Sequence, residues 1–333
     1  MAVIGFDIGT GYVKLAQCGK HGVEQLHARK LPENLVRAGE IISFEAMSEY
    51  LCEMRREYHL ARATCAVILP AQVAFMRRVT LPAMSTEQLR FNLPYEFRDY
   101  AASGKEKFFY DYAVQEILRD EQGKPTEMNL LAAAASKAVI GEYRAMFRRA
   151  GLHLRTAIPA ECAYANLMQQ YTAAHPDNAL QEYCIIDIGQ TATRLHIFDH
   201  GNQFDSTRVI DIGTADLDRA IAEARNVDEH IAHTYMDTNH DGVHDAEEAR
   251  GIYSTIAVES MKAVNFYRFN NRNTQLEHGY YCGGGACIAQ LVEMIGQATG
   301  LKMHHIGQLM PGAGTEQNEE TLLCAAAMGA TMQ

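Results

Sequence analysis

Two short stretches of the sequence combine an aspartate, glycines and hydroxyl side chains in a pattern suited to binding phosphate and Mg²⁺. The first, FDIGTGYVK, covers residues 6–14, and the second, IDIGQTATR, covers residues 186–194. In each, the aspartate ends an apolar run, and the glycines after it allow the backbone to approach a ligand closely. Successive amides in such a turn point inward as an anion-binding nest. Two nests facing one triphosphate would explain why the motif occurs twice.

These two stretches contain the residues that we expect to bind the nucleotide. Asp7 and Asp187 would hold Mg²⁺, directly or through its water molecules. Thr10 and Gly11 would donate hydrogen bonds to phosphate oxygens, which Lys14 would reach as a positive charge. A surface position on an edge strand is the alternative for Lys14. The predicted set is Asp7, Gly9, Thr10, Gly11, Lys14, Asp187, Gly189, Gln190, Thr191 and Thr193.

A third glycine-rich stretch, Gly283, Gly284 and Gly285, follows the apolar segment HGYYC. A dinucleotide-binding fold is rejected here, because the third glycine of its fingerprint is missing and the motif comes late in the chain. We expect a strand, this glycine turn and then a helix.

The elements around these motifs form a repeated pattern. Each aspartate motif reads as strand, tight turn, strand, and opens a β-meander. Between the two meanders, the pattern predicts a helix near 43–60 and strands at 64–70 and 74–82. A capping-box spacing at Ser85 and Gln88 begins the next helix, which Pro94 should kink or end. A strand pair and an amphipathic helix follow before residue 157.

At 333 residues, the chain is long enough for two domains. We predict a first lobe over 1–180, with its core at 1–82 and 158–180 and a small α/β subdomain inserted at 83–157. The second lobe is predicted over 181–333 and contains a helical subdomain at 213–275.

Charge and hydropathy narrow the classes of partner. A net charge of −11 opposes binding to nucleic acid, which requires clustered Lys and Arg. No apolar run approaches the roughly 20 residues that span a bilayer, and no secretory signal is recognised at the start. The eight cysteines show no CxxC spacing and are interpreted as reduced core residues. These features predict a cytoplasmic protein that reaches a membrane only through other proteins.

The stretch DTNHDGVHDAEE, residues 237–248, fits the spacing of a calcium-binding loop, with Gly242 at the sharp turn. His244 occupies a position where an apolar residue normally packs. A solvated acidic helix–turn–helix without metal is therefore the alternative. The predicted ligands are Asp237, Asn239, Asp241, the Val243 carbonyl, Asp245 and Glu248.

In their order and spacing, the two aspartate hairpins and the triple glycine resemble the phosphate and adenosine loops of the actin–Hsp70–sugar kinase superfamily. The resemblance implies an actin-like, ribonuclease H-like two-lobed α/β fold that binds ATP with Mg²⁺, with Gly283 to Gly285 under the adenosine and α-phosphate. Gln190, Thr191 and Thr193 depart from the Gly-Gly-Thr run of many members. Glu161 lies where the superfamily often orients the attacking water. It is either a general base or a helix-capping residue, so any ATPase activity is expected to be weak.

Longer segments, among them LPAMSTEQLRFNLPYEFRDY, ESMKAVNFYRFNN and YYCGGGACIAQLVEMI, resemble the PilM family of type IV pilus assembly proteins over essentially the whole chain. The resemblance implies a scaffold at the inner face of the cell membrane. Such a scaffold holds the cytoplasmic tail of PilN, a single-span membrane protein, between the first core and the insert, and connects it to the assembly ATPases. Candidates for the wall of that groove are Phe91, Leu93, Tyr95 and Phe97.

Two further functions stay open at this point. One is a small-molecule kinase of the same superfamily, which needs a carboxylate base beside the γ-phosphate. The other is a filament-forming cell-division protein similar to FtsA, although the uncharged end TLLCAAAMGATMQ is a poor lipid-binding helix. Self-association of the chain is compatible with either a scaffold or a filament.

Overall fold

The computed structural model describes residues 3–19, 22–37, 39–60, 64–100, 107–180, 182–310 and 318–332. The chain divides into two compact units. One consists of residues 32–160, and the other combines the residues up to Leu31 with those from Glu161 onward. The first meander therefore belongs to the same unit as the second. The lobes predicted at 1–180 and 181–333, and the subdomain predicted at 213–275, follow a different division and stay predictions.

The first meander consists of β1 (Val3–Ile8), β2 (Tyr12–Gly19) and β3 (Gly22–Lys30). The strands are antiparallel neighbours, and Asp7 lies opposite Lys14 in the register of β1 with β2. Buried apolar residues such as Ile4, Phe6, Val13 and Leu15 form the core side of this sheet.

The described part of the unit of residues 32–160 contains ten α-helices and β-strands. Ser43 caps the first helix by accepting a hydrogen bond from the amide of Ala46. The elements are β4 (Val36–Arg37), β5 (Glu40–Ile41), α1 (Phe44–Glu57), β6 (Thr64–Leu69), β7 (Ala74–Pro82), α2 (Thr86–Asn92), β8 (Phe108–Arg119), β9 (Pro125–Ser136), α3 (Lys137–Arg149) and β10 (His153–Pro159). β10 pairs with β6 in parallel.

Two strands of the predicted insert, β8 and β9, form a three-stranded antiparallel sheet with β7, which precedes the predicted insert; the order is β7–β9–β8, and α2 lies against one face. The predicted capping box is present, because the side chain of Ser85 accepts from the Gln88 amide and the side chain of Gln88 accepts from the Ser85 amide. α2 ends at Asn92, before Pro94, as predicted, and a 3₁₀ turn with Pro94 near its start then covers Leu93–Phe97. Leu93 and Phe97 are buried in the core of this sheet.

The other unit continues with α4 and a second meander. Its elements are α4 (Ala160–Ala174), β11 (Tyr183–Ile188), β12 (Thr193–Asp199), β13 (Gln203–Ile210), α5 (Thr214–Arg225), α6 (Glu229–Thr238), α7 (Glu247–Asn270), β14 (His278–Cys282), α8 (Ala289–Thr299), β15 (Lys302–His305), α9 (Glu319–Leu323) and α10 (Ala325–Thr331). The sheet order is β13–β12–β11–β14–β15, with β14 parallel to both β11 and β15. Parallel β11 and β14 thus end at the same edge of the sheet.

The small residues of α10 allow it to pack closely on its neighbours. A Cβ atom on Gly5 of β1 would lie 1.8 Å from the carbonyl oxygen of Ala327. One on Gly329 would lie 2.0 Å from the carbonyl oxygen of Ala163 in α4. Residues 325–330 are all buried. The uncharged composition of this segment is therefore explained by packing inside its own unit.

Among the residues that the structure describes, no helix is both long enough and apolar enough to cross a membrane.

Candidate functional site

The two aspartate motifs fold as matching hairpins. The amide of Gly9 donates to the Tyr12 carbonyl over 2.9 Å, and the amide of Gly189 donates to the Ala192 carbonyl over 3.0 Å. In the register of the second hairpin, Asp187 lies opposite Arg194, as Asp7 lies opposite Lys14 in the first. The repeat in the sequence is thus a repeat of backbone geometry.

Lys14 forms an ion pair with Asp7, whose Oδ2 lies 2.8 Å from the lysine Nζ. Burial opposes the charge, but Asp7 and Asp187 together raise the pKa of Lys14 above its usual range. β2 lies between β1 and β3, and the Lys14 side chain is largely buried. Lys14 is therefore not a surface residue on an edge strand. It is a cation paired with Asp7, and the negative charge of Asp187 also stabilises it.

Asp187 accepts a hydrogen bond from Tyr164, which in turn accepts one from Cys282, and sequence reasoning missed both residues. The hydroxyl of Tyr164 on α4 donates to Asp187 Oδ2 over 3.1 Å. The thiol of Cys282, the last residue of β14, donates to the same hydroxyl over 3.5 Å. Burial raises the pKa values of Tyr164 and Cys282 well above their usual ranges, so both groups stay protonated as donors. The sequence signal that could have indicated this network is the position of Cys282 directly before the triple glycine.

The loops of the two hairpins are adjacent. A Cβ atom on Gly11 would lie 2.6 Å from Oε1 of Gln190, so the glutamine side chain lies directly against the first hairpin. Gln190 and Thr191 are exposed, whereas Gly9, Thr10 and Gly11 are half-buried. Gln190, which departs from the glycine of many superfamily members, thus places its side-chain amide against the first hairpin.

The second hairpin is fastened to the start of α5. The amides of Thr214 and Ala215 donate to the carbonyls of Gly189 and Gln190 over 3.1 and 2.9 Å. Thr193 is fully buried, and its hydroxyl donates to the Ile212 carbonyl over 3.0 Å. These contacts hold the loop in place, and they direct the Thr193 hydroxyl to the backbone.

The triple glycine lies at the end of β14, beside Asp187. Gly283 has a φ of +89°, and a Cβ atom there would lie 2.6 Å from Asp187 Oδ1 and 2.5 Å from the Ile188 carbonyl oxygen. Only glycine satisfies both conditions. The predicted helix does not follow at once, because a 3₁₀ turn over Gly284–Cys287 precedes α8. The hydrogen bond from the Ile288 amide to the Gly285 carbonyl closes that turn.

Glu161, in the first turn of α4, is held by two side chains. Its Oε1 accepts a hydrogen bond from the Thr207 hydroxyl over 3.0 Å and lies 3.4 Å from Nδ1 of the buried His196. Burial opposes ionisation of Glu161, but His196 and then Thr207 lower its pKa to about 2. The carboxylate is thus ionised, although its Oε1 is already paired. Its role as a general base stays a prediction.

The segment 237–248 has the helix–turn–helix form that the sequence predicts, between the end of α6 at Thr238 and the start of α7 at Glu247. Gly242 takes a φ of +69°. Among the described residues, no three of its carboxylates bring oxygens within 4.8 Å of one another. The side chains contact other partners: Asp237 lies 3.4 Å from His233, Asp241 3.5 Å from His240 and Asp245 3.5 Å from Arg250, while Asn239 accepts from the His244 amide over 3.0 Å. Calcium binding by this segment, with Val243 and Glu248 as further ligands, stays a prediction.

Comparison with solved structures defines the class of fold. A PilM–PilN type IV pilus biogenesis complex aligns with a TM-score of 0.82 and 20% identity over 99% of this chain and 97% of that chain. The ethanolamine utilization protein EutJ from Carboxydothermus hydrogenoformans aligns with a TM-score of 0.61 and 14% identity, over 100% and 89% of the two chains. At these identities the similarity concerns the fold, and it confirms the predicted actin-like α/β class.

The family follows from the sequence itself. A model of the type IV pilus assembly protein PilM family matches residues 5–320. The chain therefore belongs to the type IV pilus assembly protein PilM family, as its sequence resemblance indicated. No curated protein matches it.

Proposed function

We propose that this chain is a nucleotide-binding scaffold of type IV pilus assembly, which binds Mg-ATP between its two hairpins and holds the cytoplasmic tail of a PilN-like membrane protein. The observation that carries the nucleotide part is the meeting of Asp7, Lys14 and Asp187 within one compact unit. Family membership carries the pilus part.

The residues present suit a nucleotide with its metal ion. Asp7 and Asp187 offer the carboxylate oxygens that Mg²⁺ prefers. Lys14 offers a positive charge for phosphate oxygens. Gly11 and Gly283 let Gln190 and Asp187 lie directly against the glycine loops. When bound, the Mg-nucleotide would supply a compact anionic group that both hairpins contact. We infer that the Lys14 ammonium group then gives up part of its contact with Asp7 and contacts the phosphate oxygens instead.

Thermal melting with and without Mg-ATP tests this site. We expect Mg-ATP to raise the melting temperature, because a ligand that binds only the folded state stabilises it. The double variant Lys14→Ala with Asp187→Ala should abolish that shift. Lys302→Ala is the matched control, because Lys302 is an exposed lysine paired with Glu277 at 2.8 Å on β15. An unchanged shift in the double variant would place the nucleotide elsewhere.

The proposed partner is the tail of a PilN-like protein, since the chain belongs to the PilM family and its fold is similar to that of a PilM–PilN complex. Of the four wall candidates, Leu93 and Phe97 are taken up by the core of the insert. Phe91 and Tyr95 are 78% and 59% exposed and stay available to a peptide. A short apolar peptide segment can use such side chains as anchors.

Calorimetry with a synthetic tail peptide tests the partner. We expect binding to the wild-type chain and at least about tenfold weaker binding to Phe91→Ala with Tyr95→Ala, corresponding to about 1.4 kcal/mol. Val114→Ala is the control, because Val114 is an exposed apolar residue on β8. Absence of binding to the wild-type chain would contradict the pilus partner. Equal binding by the double variant would contradict only these two anchors.

Contact with the pilus assembly ATPases and a position at the inner face of the cell membrane, reached through protein partners, belong to the same proposal.

A kinase function is disfavoured by the pairing of Glu161 with Thr207 and His196, which occupies one oxygen of the candidate base. Weak ATP hydrolysis without transfer to a sugar or acid is the expected outcome of a phosphate-release assay. Rapid transfer to such an acceptor would favour the kinase.

A further inference from the structure

Helix α7 exposes large apolar side chains on the face that points away from its own unit. Val258, Phe266 and Phe269 are 39%, 54% and 83% exposed. The buried residues of the helix, among them Ile256 and Val264, lie on the opposite side. A helix at the surface of a single chain normally carries polar residues on its outer face. This outer face is therefore suited to contact another macromolecule.

The exposed residues follow a regular spacing along the helix. Thr255, Val258, Lys262, Phe266 and Phe269 are separated by three or four positions, so they form one stripe along the outer face. Such a stripe is typical of a helix that packs along another helix. We call these five residues the outer stripe of α7.

The outer stripe is symmetric about its central residue. Val258 and Phe266 lie four positions before and after Lys262, and Thr255 and Phe269 lie seven positions before and after it. In an antiparallel pair of identical helices centred on Lys262, each phenylalanine would face a smaller residue of the other helix. A two-fold interface requires a surface of this kind, because the same patch must be complementary to itself.

The charges near the centre suit the same arrangement. Lys262 Nζ lies 2.6 Å from Oε1 of Glu259, one turn earlier on the helix. At a two-fold axis through Lys262, the two Lys262 ammonium groups would lie beside the two Glu259 carboxylates. The carboxylates would then offset the repulsion between the two ammonium groups. At one end of the stripe, the Arg208 guanidinium lies 4.5 Å from the centre of the Phe266 ring and holds it against the unit.

We propose that the outer stripe of α7 pairs with the outer stripe of a second copy of this chain, antiparallel and centred on Lys262. The helix has 24 residues and is about 36 Å long. A single pair of helices buries less surface than a standard interface, so a weak dimer is expected, with a Kd on the order of 10–100 µM. The pairing is independent of the nucleotide site and of the insert.

Sedimentation velocity over a concentration series tests the dimer. The wild-type chain should show a monomer–dimer equilibrium, and Phe269→Glu should raise the Kd at least about tenfold, because it buries a charge opposite Thr255. Ile231→Glu on α6 makes the same change at another exposed apolar position and should leave the Kd unchanged. Both variants should keep wild-type melting temperatures, since both side chains are exposed.

Charge exchange tests the two-fold symmetry. Lys262→Glu alone should weaken the dimer by placing four carboxylates at the axis, and Glu259→Lys with Lys262→Glu should restore it. A photoreactive phenylalanine analogue in place of Phe269, in a mixture of isotopically labelled and unlabelled chains, should form cross-links between chains near Thr255. A monomer up to roughly 1 mM, a dimer that survives Phe269→Glu, failure of the charge exchange to restore pairing, or cross-links outside α7 would each overturn the proposal.

Discussion

The hydroxyl of Tyr164 donates a hydrogen bond to Asp187 Oδ2 over 3.1 Å, and this bond joins α4 to the strand that carries the second hairpin aspartate. Both residues belong to the same compact unit. Since Tyr164 is buried and stays protonated, it orients one oxygen of Asp187 and leaves Oδ1 on the side of Gly283.

Loss of this bond should weaken the fold and the nucleotide response together. We expect Tyr164→Phe to lower the free energy of unfolding by about 1–2 kcal/mol, because a buried acceptor loses its donor. The shift of melting temperature caused by Mg-ATP should also become smaller, since Asp187 is no longer oriented. Urea unfolding measures the first effect. Tyr95→Phe removes an exposed hydroxyl and is the control; equal stability of Tyr164→Phe and the wild-type chain would contradict the role of the bond.

The contacts of Glu161 predict a dependence of stability on pH. Its pKa falls from 4.5 to about 2 on folding, so the ionised carboxylate stabilises the native state above about pH 4.5. That contribution is lost as the pH falls from about 4.5 towards 2. Glu161→Gln should therefore lower the free energy of unfolding by on the order of 1–3 kcal/mol at neutral pH, and the difference from wild type should shrink through this window.

Urea unfolding at a series of pH values measures this difference. Glu87→Gln, which changes an exposed carboxylate on α2, is the control and should follow the wild-type curve. A Glu161→Gln deficit that stays constant from neutral pH to pH 2 would show that the charge is not responsible.

Because α10 packs closely on its neighbours, adding a single methyl group to one of its glycines should destabilise the fold. Gly329→Ala should destabilise the chain by about 1–3 kcal/mol, because the new Cβ would meet the Ala163 carbonyl oxygen at 2.0 Å and backbone atoms must move. Gly141→Ala in α3 is the matched control. No atom lies within 4 Å of its Cβ position, so alanine there should stabilise the helix by up to about 1 kcal/mol. Unfolding curves that rank the two variants in the opposite order would contradict this packing.

The calcium loop hypothesis predicts that Ca²⁺ at about 1 mM raises the melting temperature, as for an EF-hand with weak affinity. Asp237 and Asp245 would then exchange their present partners for the ion. Glu248→Gln should abolish the shift, and Glu247→Gln, which changes a neighbour outside the predicted ligand set, should retain it. Identical melting with and without Ca²⁺ would favour the acidic turn without metal.

Prediction from the sequence succeeded where structure depends on local chemistry. The capping box of Ser85 and Gln88, the end of α2 before Pro94 and both aspartate hairpins result from residues that are neighbours along the chain. The resemblance to the PilM family was also available at this level, because it rests on the order of segments.

The four residues predicted to line the peptide groove show what local sequence patterns do not determine. Phe91, Leu93, Tyr95 and Phe97 alternate along one short segment, and nothing in their types distinguishes them. Leu93 and Phe97 pack against β8 and β9, whereas Phe91 and Tyr95 remain exposed. That division depends on strands that follow later in the chain.

By itself, the sequence determined the two hairpins, their aspartates, the glycine turns and the family, because each depends on spacing within a few residues or on the order of motifs. Only the tertiary structure decided that Lys14 lies with both aspartates, that Tyr164 and Cys282 support Asp187, and that Glu161 is paired with His196. These relationships join residues far apart in the chain. Their geometry is set by how α4, β11, β12 and β14 pack, which no local pattern specifies.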